Sequence, residues 1–310
     1  MPELPEVETV RRGLQPAMLG ARIDRVKTMR PDLRFPFPER FAERLEGAFV
    51  DTMDRRGKYL LCGLSSCETL IMHLGMSGRF TVSDGETRNG SEPGIFHHEH
   101  GTDPKHDHVI FDVSVPANEG RAKPRSSDGS YDFKRSQATA RVVYNDPRRF
   151  GFMDLVATSE IDCCRHFKDM GPEPLSNAFS AEAFSEALRG KSTAIKAALL
   201  DQSVVAGIGN IYACEALFKS GISPRRSAHS LVGARAVRLQ RAMVDVLKEA
   251  IDAGGSSLRD FAGAEGKLGY FQHQFSVYDR EGEVCPCGRS KIKRIVQGGR
   301  STFYCGGCQR

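Results

Sequence analysis

The chain has 310 residues, of which 40% are hydrophobic and 27% charged, and its formal net charge is +5. These values are typical of a soluble globular protein with two or three domains, and no stretch approaches the roughly 20 apolar residues that a membrane helix requires. Three glutamates lie within the first eight residues, where a signal peptide would be basic and then apolar, so we expect a cytoplasmic protein.

The first predicted element is a helix that starts almost at the N-terminus. Leu4, Val7, Val10 and Leu14 lie near helical spacing and give the segment one apolar face. Gly13 is a residue type that can end a helix, and we expect the helix to stop there. Such a helix would hold the chain terminus in place.

Residues 20–160 predict mostly β-strands. Five short segments are β-branched or alternating and are separated by turn residues: ARIDRVKTM, KYLLCGL, TLIMHLGMSGRF, HVIFDVSV and ARVVYND. This pattern favours a β-sandwich. Residues 83–104 and 116–140 are rich in Gly, Ser, Lys, Asp and Asn, and we expect two long surface loops there, without a functional role.

The next part of the chain, to about residue 260, predicts helices. Four segments have helical spacing and caps: SAEAFSEALRG, KSTAIKAALLDQ, GNIYACEALFKSG and LVGARAVRLQRAMVDVLKEAIDAGG. A glycine-bearing turn, VVAGIGNIY, lies between two of them. We therefore predict a multi-domain α+β protein with a sandwich domain at 2–155, a helical domain at 156–263 and a third segment at 264–310.

Four of the nine cysteines lie near the C-terminus with the spacing of a zinc ribbon. The pairs Cys285/Cys287 and Cys305/Cys308 flank a segment able to form a hairpin, so four thiolates could bind one structural Zn²⁺. The first pair is C-x-C, one residue shorter than usual, which predicts a strained or weaker site. The alternative is a set of free surface thiols. An odd cysteine count in a cytosolic chain argues against a disulfide framework.

Basic residues are concentrated in the same segment, which holds six Lys or Arg and no Asp or Glu. Arg300 follows two glycines at the expected tip of the hairpin. A phosphate contact is favoured over a simply solvated charge, because the surrounding segment carries no carboxylate.

Two further motifs are consistent with nucleic-acid binding. The segment NDPRRFG places Arg148 beside Phe150 in a Pro-Gly turn, where an arginine and an aromatic ring can fill the gap left by an extruded base. An ordinary turn with a packed Phe is the alternative. In KHDHV, a polar or phosphate role is favoured for His106 over a metal site.

Pro2 becomes the N-terminal residue if Met1 is removed, and its amine is then secondary. An α-amino group titrates near about 7.7–8.0, so a useful fraction is neutral at physiological pH. Attack on a sugar C1′ would give an iminium ion with no N–H to lose, which permits β-elimination of the 3′ phosphate. Glu3 could supply a proton to the ring oxygen or leaving group. On composition alone, most N-terminal prolines have no such role.

The combined motifs resemble the formamidopyrimidine-DNA glycosylase family, the bacterial 8-oxoguanine repair enzymes, over nearly the whole chain. They are PELPEVETVRRGL, RRGKYL, HLGMSGRF, KHDHV, NDPRRFG, GPEPLS, GIGNIYACEALF and GRSTFYCGGC. The resemblance implies an N-terminal helix on a β-sandwich, a helix–two-turn–helix domain and a zinc ribbon, with damaged duplex DNA in the cleft between them. It also implies removal of oxidised purines followed by β,δ-elimination.

The resemblance also implies roles for particular residues. Pro2 would be the Schiff-base nucleophile, Glu3 the proton donor and acceptor in glycosyl cleavage, Lys58 the proton donor in β-elimination, and Arg300 the phosphate ligand for δ-elimination. The implied DNA contacts are His106, Arg148, Lys191 and Asn210, with Met76, Arg148 and Phe150 filling the void after base flipping. The segment GKLGYFQ resembles the loop over the flipped base.

Two alternatives stay open from the sequence. An endonuclease VIII-like relative would share the architecture and the N-terminal proline but act on oxidised pyrimidines. A non-catalytic damage-binding protein would keep the fold without the chemistry, although Pro2, Glu3 and Lys58 are all present. We expect a monomer in either case.

Overall fold

The computed structural model describes residues 1–84, 103–115, 138–256 and 271–310. Within these ranges, buried apolar side chains form three clusters. The largest lies between two sheets, the second among the helices, and the third inside the C-terminal hairpin unit. The predicted sandwich, helical and ribbon units are thus confirmed, whereas the domain limits at 155 and 263 stay predictions. No helix in the described part of the chain is long and apolar enough to cross a membrane.

Helix α1 spans Leu4–Met18 and is longer than predicted. It passes through Gly13 and contains Pro16, because Leu14 and Met18 in its last turns are fully buried against the sandwich. Tertiary burial therefore outweighs the helix-ending preference of glycine. The N-cap is Glu3, whose backbone N–H donates to the side chain of Glu6 in a capping box.

Two four-stranded antiparallel sheets form the sandwich. The strands are β1 Arg22–Thr28, β2 Val50–Arg56, β3 Tyr59–Leu64, β4 Glu68–His73, β5 Arg79–Asp84, β6 Asp107–Val115, β7 Ala138–Asn145 and β8 Phe152–Ala157. One sheet has the order β1-β6-β7-β5 and the other β2-β3-β4-β8. The turn from β7 to β8 therefore passes from one sheet to the other and carries NDPRRFG at one end of the sandwich.

Three elements of this domain were not predicted: β2, β8 and helix α2, Phe41–Leu45. The segment TLIMHLGMSGRF is not one strand but the end of β4, a turn, and the start of β5, because Gly75 has a φ of 64° and turns the chain. The two expected loops are shorter than predicted, because residues 83–84 belong to β5 and residues 138–140 belong to β7. The central parts of both loops lie outside the described residues.

Four α-helices make up the described part of the second unit, as predicted. They are α3 Ala181–Leu188, α4 Ile195–Leu200, α5 Asn210–Lys219 and α6 Ala234–Asp252. Most of α5 is buried, because it packs against α4, α6 and the C-terminal hairpin. Leu4 of α1 belongs to the apolar cluster of this unit, so the first helix is shared between the two domains.

The C-terminal hairpin is formed by β9, Ile292–Gln297, and β10, Arg300–Cys305, joined by a Gly-Gly turn. Gln309 attaches this unit to the helices, since its side chain accepts from the N–H of Cys305 and donates to the carbonyl of Ile222. The segment GKLGYFQ lies almost entirely outside the described residues.

Candidate active site

The N-terminal residues are built into the interface between the sandwich and the helices. Pro2 and Glu3 are buried, whereas Met1 is exposed. The Glu3 carboxylate accepts from the N–H of Ile211 at 2.9 Å and from the N–H of Tyr212 at 3.4 Å. Both donors lie in the first turn of α5, where backbone N–H groups have no intrahelical acceptor and favour an anion.

Two glycines of GIGN allow this close approach. A Cβ on Gly209 would lie 2.2 Å from Cδ of Glu3, and one on Gly207 would lie 2.7 Å from Cδ1 of Leu4. Gly207 also has a φ of 80° and accepts from the N–H of Leu4 through its carbonyl. The glycine-bearing turn is therefore shaped to receive the first residues of the chain.

Glu6 is a second buried carboxylate and lies next to Glu3. It accepts from the N–H of Glu3, the hydroxyl of Tyr212, and both the N–H and the hydroxyl of Ser256. Because these donors come from α1, α5 and the end of α6, Glu6 joins three helices at the site. The sequence signal for this role is its position three residues after the N-cap.

Lys58 lies at the start of β3 and is buried at the same place. Its Nζ donates to the carbonyl of Ile208 at 2.9 Å. Burial lowers the pKa of Lys58, opposed by the charge of Glu3 and reinforced by that of Arg300. Burial likewise raises the pKa of Glu3, opposed by Lys58. The two side chains form a partly compensated pair in a low-dielectric site, an arrangement that tunes groups for proton transfer.

Arg300 lies at the tip of the ribbon hairpin, and its charge acts on Lys58. The carbonyl of the next residue, Ser301, accepts from Nδ2 of Asn210 at 2.9 Å and from Nζ of Lys196 at 3.1 Å. Lys196 is fully buried and also donates to the hydroxyl of Thr302 at 2.7 Å. Its sequence signal is a single charge within the apolar helix IKAALL. Donors from α4 and α5 thus fix the strand that carries Arg300.

A separate group of residues forms at the end of the sandwich around Asp146, which is fully buried. The Asp146 carboxylate accepts from the hydroxyls of Ser77 and Tyr144 and from the N–H groups of Arg148 and Gly151. It joins the turn that contains Met76 to the loop after β7. The Asp-Pro pair after a strand is a turn signal that could have identified it.

This loop presents an arginine and an aromatic ring to solvent. Cζ of Arg148 lies 4.9 Å from the ring centroid of Phe150, whose side chain is 43% exposed. Met76 is half-buried in the facing turn. The structure therefore brings together all three residues that the resemblance connects with void filling.

Of the two remaining predicted DNA contacts, His106 is joined to the Asp146 group, whereas Lys191 belongs to neither group. His106 is half-buried before β6, where its carbonyl accepts from the N–H of Asp146. Lys191 precedes α4, and its Nζ lies 3.4 Å from a carboxylate oxygen of Asp201. Neither residue contacts Glu3 or Lys58 directly through a hydrogen bond in the described chain.

The four C-terminal cysteines converge despite the short first pair. Their sulfur atoms all lie within 4.8 Å of one another, with 3.7 Å between Cys285 and Cys308 and 3.8 Å between Cys287 and Cys305. A tetrahedron with metal–sulfur bonds of about 2.3 Å has sulfur–sulfur edges of about 3.8 Å. The four cysteines therefore fit a four-thiolate metal site. The strain predicted for the short C-x-C pair is not needed to bring the four sulfur atoms together. Gly288, with a φ of 69°, completes the tight turn.

Comparison with known proteins agrees with this geometry. The family model described as the formamidopyrimidine-DNA glycosylase N-terminal domain matches residues 1–153, and the one described as the H2TH domain of the same glycosylase matches residues 170–262. A curated protein named formamidopyrimidine-DNA glycosylase from Rhodopseudomonas palustris is 53% identical over 318 residues, and one from Ruegeria pomeroyi is 52% identical over 314. All of this chain and all of each relative are covered.

Two solved structures show the same architecture. The MutM (Fpg) protein of Thermus thermophilus is 36% identical, with a TM-score of 0.77 over 99% of this chain and 98% of the other. The Lactococcus lactis Fpg in complex with DNA containing N7-benzyl-Fapy-dG is 31% identical, with a TM-score of 0.79 over the whole of both chains.

Proposed function

The chain belongs to the formamidopyrimidine-DNA glycosylase family, and on that premise we propose that it excises oxidised purines from DNA with its own N-terminal amine. Its substrates are 8-oxoguanine and formamidopyrimidines in damaged duplex DNA. It is both a DNA glycosylase and an AP lyase. The observation that carries the proposal is the burial of Pro2 and Glu3 at the start of α5, beside Lys58 and under the ribbon tip with Arg300.

The reaction begins with the Pro2 nitrogen, once Met1 has been removed. The neutral amine attacks C1′ of the damaged nucleotide, and the base leaves with a proton supplied at Glu3. Because burial raises the pKa of Glu3, its acid form persists to higher pH than in a free glutamic acid. The amine then loses its proton and the C1′–O4′ bond opens as O4′ takes up a proton. The resulting iminium ion stays cationic because a secondary amine leaves no N–H to lose.

Strand cleavage follows from that charge. The cation acidifies the C2′ proton, and its removal expels the 3′ phosphate in β-elimination. Lys58 supplies a proton at this step, and Arg300 binds the phosphate and assists the δ-elimination that expels the 5′ phosphate. Lys196 and Asn210 support this role because they fix the carbonyl adjacent to Arg300.

DNA is held through cationic and polar groups on both sides of the cleft. Arg148, with Met76 and Phe150, fills the space left by the flipped nucleotide, while His106, Lys191 and Asn210 contact the backbone. Cationic contacts of this kind supply much of the affinity and make it dependent on salt. Flipping itself costs a few kcal/mol of stacking, and less at a damaged pair.

Four cysteine thiolates in a tetrahedral arrangement are a common ligand set of structural Zn²⁺. Cys285, Cys287, Cys305 and Cys308 would hold it in a closed structural site, since no ligand position is left for substrate. Its contribution when bound is to fold the ribbon around its small apolar cluster.

Cleavage assays test this function. Duplexes carrying 8-oxoguanine or thymine glycol opposite C or A are incubated with the enzyme, and the products are separated as β- or δ-elimination fragments. Rapid δ-elimination at 8-oxoguanine opposite C, with much slower cleavage at thymine glycol, is expected. Preference for thymine glycol would identify a pyrimidine enzyme, and binding without cleavage a damage-binding protein.

A further inference from the structure

An exposed arginine–phenylalanine pair, Arg34 and Phe35, lies beside the loop that carries Arg148 and Phe150. Cζ of Arg34 lies 5.4 Å from the centroid of the Phe35 ring, which is 40% exposed. Arginine and aromatic side chains are frequent in nucleic-acid contacts. The motifs of the sequence did not point to this pair.

The Arg34–Phe35 pair contacts the two residues that follow Phe150. The N–H of Arg34 donates to the carbonyl of Gly151 at 3.1 Å, and the Phe35 ring packs edge-on against Phe152 with centroids 5.4 Å apart. Gly151 is itself held by its N–H, which donates to the buried Asp146 carboxylate at 2.9 Å. Arg34 is therefore attached to the Asp146-centred loop one residue beyond Phe150.

The charge of Arg34 is available to a ligand. Among the residues that the structure describes, no carboxylate lies within ion-pair distance of it, whereas Arg30 in the same loop pairs with Asp32 at 2.7 Å. The field of Arg34 also acts on His73, whose pKa falls to about 4 through burial, with Lys58 and Arg34 adding to the effect.

We propose that Arg34 and Phe35 extend the DNA-binding surface, with the Arg34 guanidinium binding a backbone phosphate of the lesion-containing duplex next to the Arg148–Phe150 loop. This inference rests on the proposed function. An unpaired cation that is continuous with a DNA-contacting loop matches the phosphate backbone in charge and position.

The test is the salt dependence of binding to a duplex with a tetrahydrofuran abasic analogue, measured by fluorescence anisotropy. Arg34→Gln removes one phosphate contact and lowers the slope of log Kd against log salt by about 0.9. Between 50 and 200 mM salt, the variant therefore loses about threefold less affinity than the wild type does. Arg34→Lys retains the slope, because the charge is kept. Phe35→Ala weakens binding but leaves the slope unchanged.

The matched control is Arg141→Gln, which removes another exposed arginine of the same domain that is already paired with Asp112 at 2.7 Å. It leaves the slope at the wild-type value. An unchanged slope in Arg34→Gln, with the variant folded by circular dichroism, overturns the inference. Wild-type cleavage of 8-oxoguanine DNA in the same series shows separately whether the proposed function holds.

Discussion

Arg148 and Arg300 are exposed on different domains. The segment around Arg148 is held by a carboxylate acceptor, and the segment around Arg300 is held by side-chain donors. Arg148 belongs to a loop arranged around the buried Asp146, whose carboxylate collects donors from its own domain. Arg300 lies on a hairpin whose backbone carbonyl is held by Lys196 and Asn210 of the helical unit. The first loop is therefore self-contained, whereas the second depends on a domain interface and on the folding of the cysteine site.

Removal of one thiolate tests this difference with the largest expected effect. Cys305→Ser leaves a three-ligand site, so the ribbon loses its zinc and Arg300 is no longer held; strand cleavage should fall by about 100-fold or more. Zinc content by mass spectrometry and single-turnover cleavage measure the two effects. Cys67→Ser, at an exposed free cysteine, is the control that keeps both. Full activity in a metal-free Cys305→Ser protein would show that Arg300 does not need the ribbon.

Substitution of the buried carboxylate addresses the other loop. Asp146→Asn replaces one acceptor oxygen by a donor, which then faces a backbone N–H of Arg148 or Gly151 that cannot accept. An unsatisfied buried group costs about 1–3 kcal/mol. Excision of 8-oxoguanine should fall about tenfold by the same energies, while zinc content and the ratio of δ- to β-elimination stay unchanged. Asp112→Asn, at a half-buried carboxylate outside this loop, serves as the control. A changed ratio of δ- to β-elimination in Asp146→Asn would mean that the Arg148 loop and the Arg300 hairpin are coupled.

A smaller effect is expected for Lys196→Met. The Ser301 carbonyl keeps its bond from Asn210, so only part of the support of Arg300 is lost, worth about 1 kcal/mol or roughly fivefold in rate. The loss should appear in δ-elimination and leave base excision nearly intact, as read from the product ratio on denaturing gels. Equal losses in both steps would indicate a general disturbance of the helical unit.

The helices and most strands followed from periodicity, because each has an apolar face that repeats along the local sequence. Gly13 misled the prediction of the end of α1, since the burial of Leu14 and Met18 comes from a sheet distant in sequence. Pro2, Glu3 and Arg300 were candidates from their residue chemistry, and the resemblance added Lys58 and the roles of all four. The residues that hold these candidates in place were not found from the sequence, because Glu6, Asp146 and Lys196 act through partners up to 250 residues away. Side chains of this kind carry only local signals in the sequence, such as a capping spacing or a lone charge in an apolar helix.

The smallest expected effect concerns pH. Burial lowers the pKa of Lys58 below 10.5, so its ammonium form is lost at a lower pH than in a free lysine. If Lys58 donates a proton, β-elimination at a preformed abasic site declines as pH rises through that lowered pKa. Lys58→Arg should be slower but lack the decline, because a guanidinium stays protonated. Single-turnover rates from pH 6 to 10 provide the check; a wild-type rate that is still rising at pH 10 would remove Lys58 from the proton donors.

Whether the Pro2 nitrogen is the nucleophile is tested most directly by borohydride trapping followed by peptide mapping. Reduction of the enzyme–DNA intermediate should fix the DNA to a peptide that starts at Pro2 and lacks Met1, and Pro2→Gly should be severely impaired in trapping. The buried amines of Lys58 and Lys196 are the neighbouring competitors. A cross-link at either lysine, or equal trapping by a chain that retains Met1, would contradict the assignment.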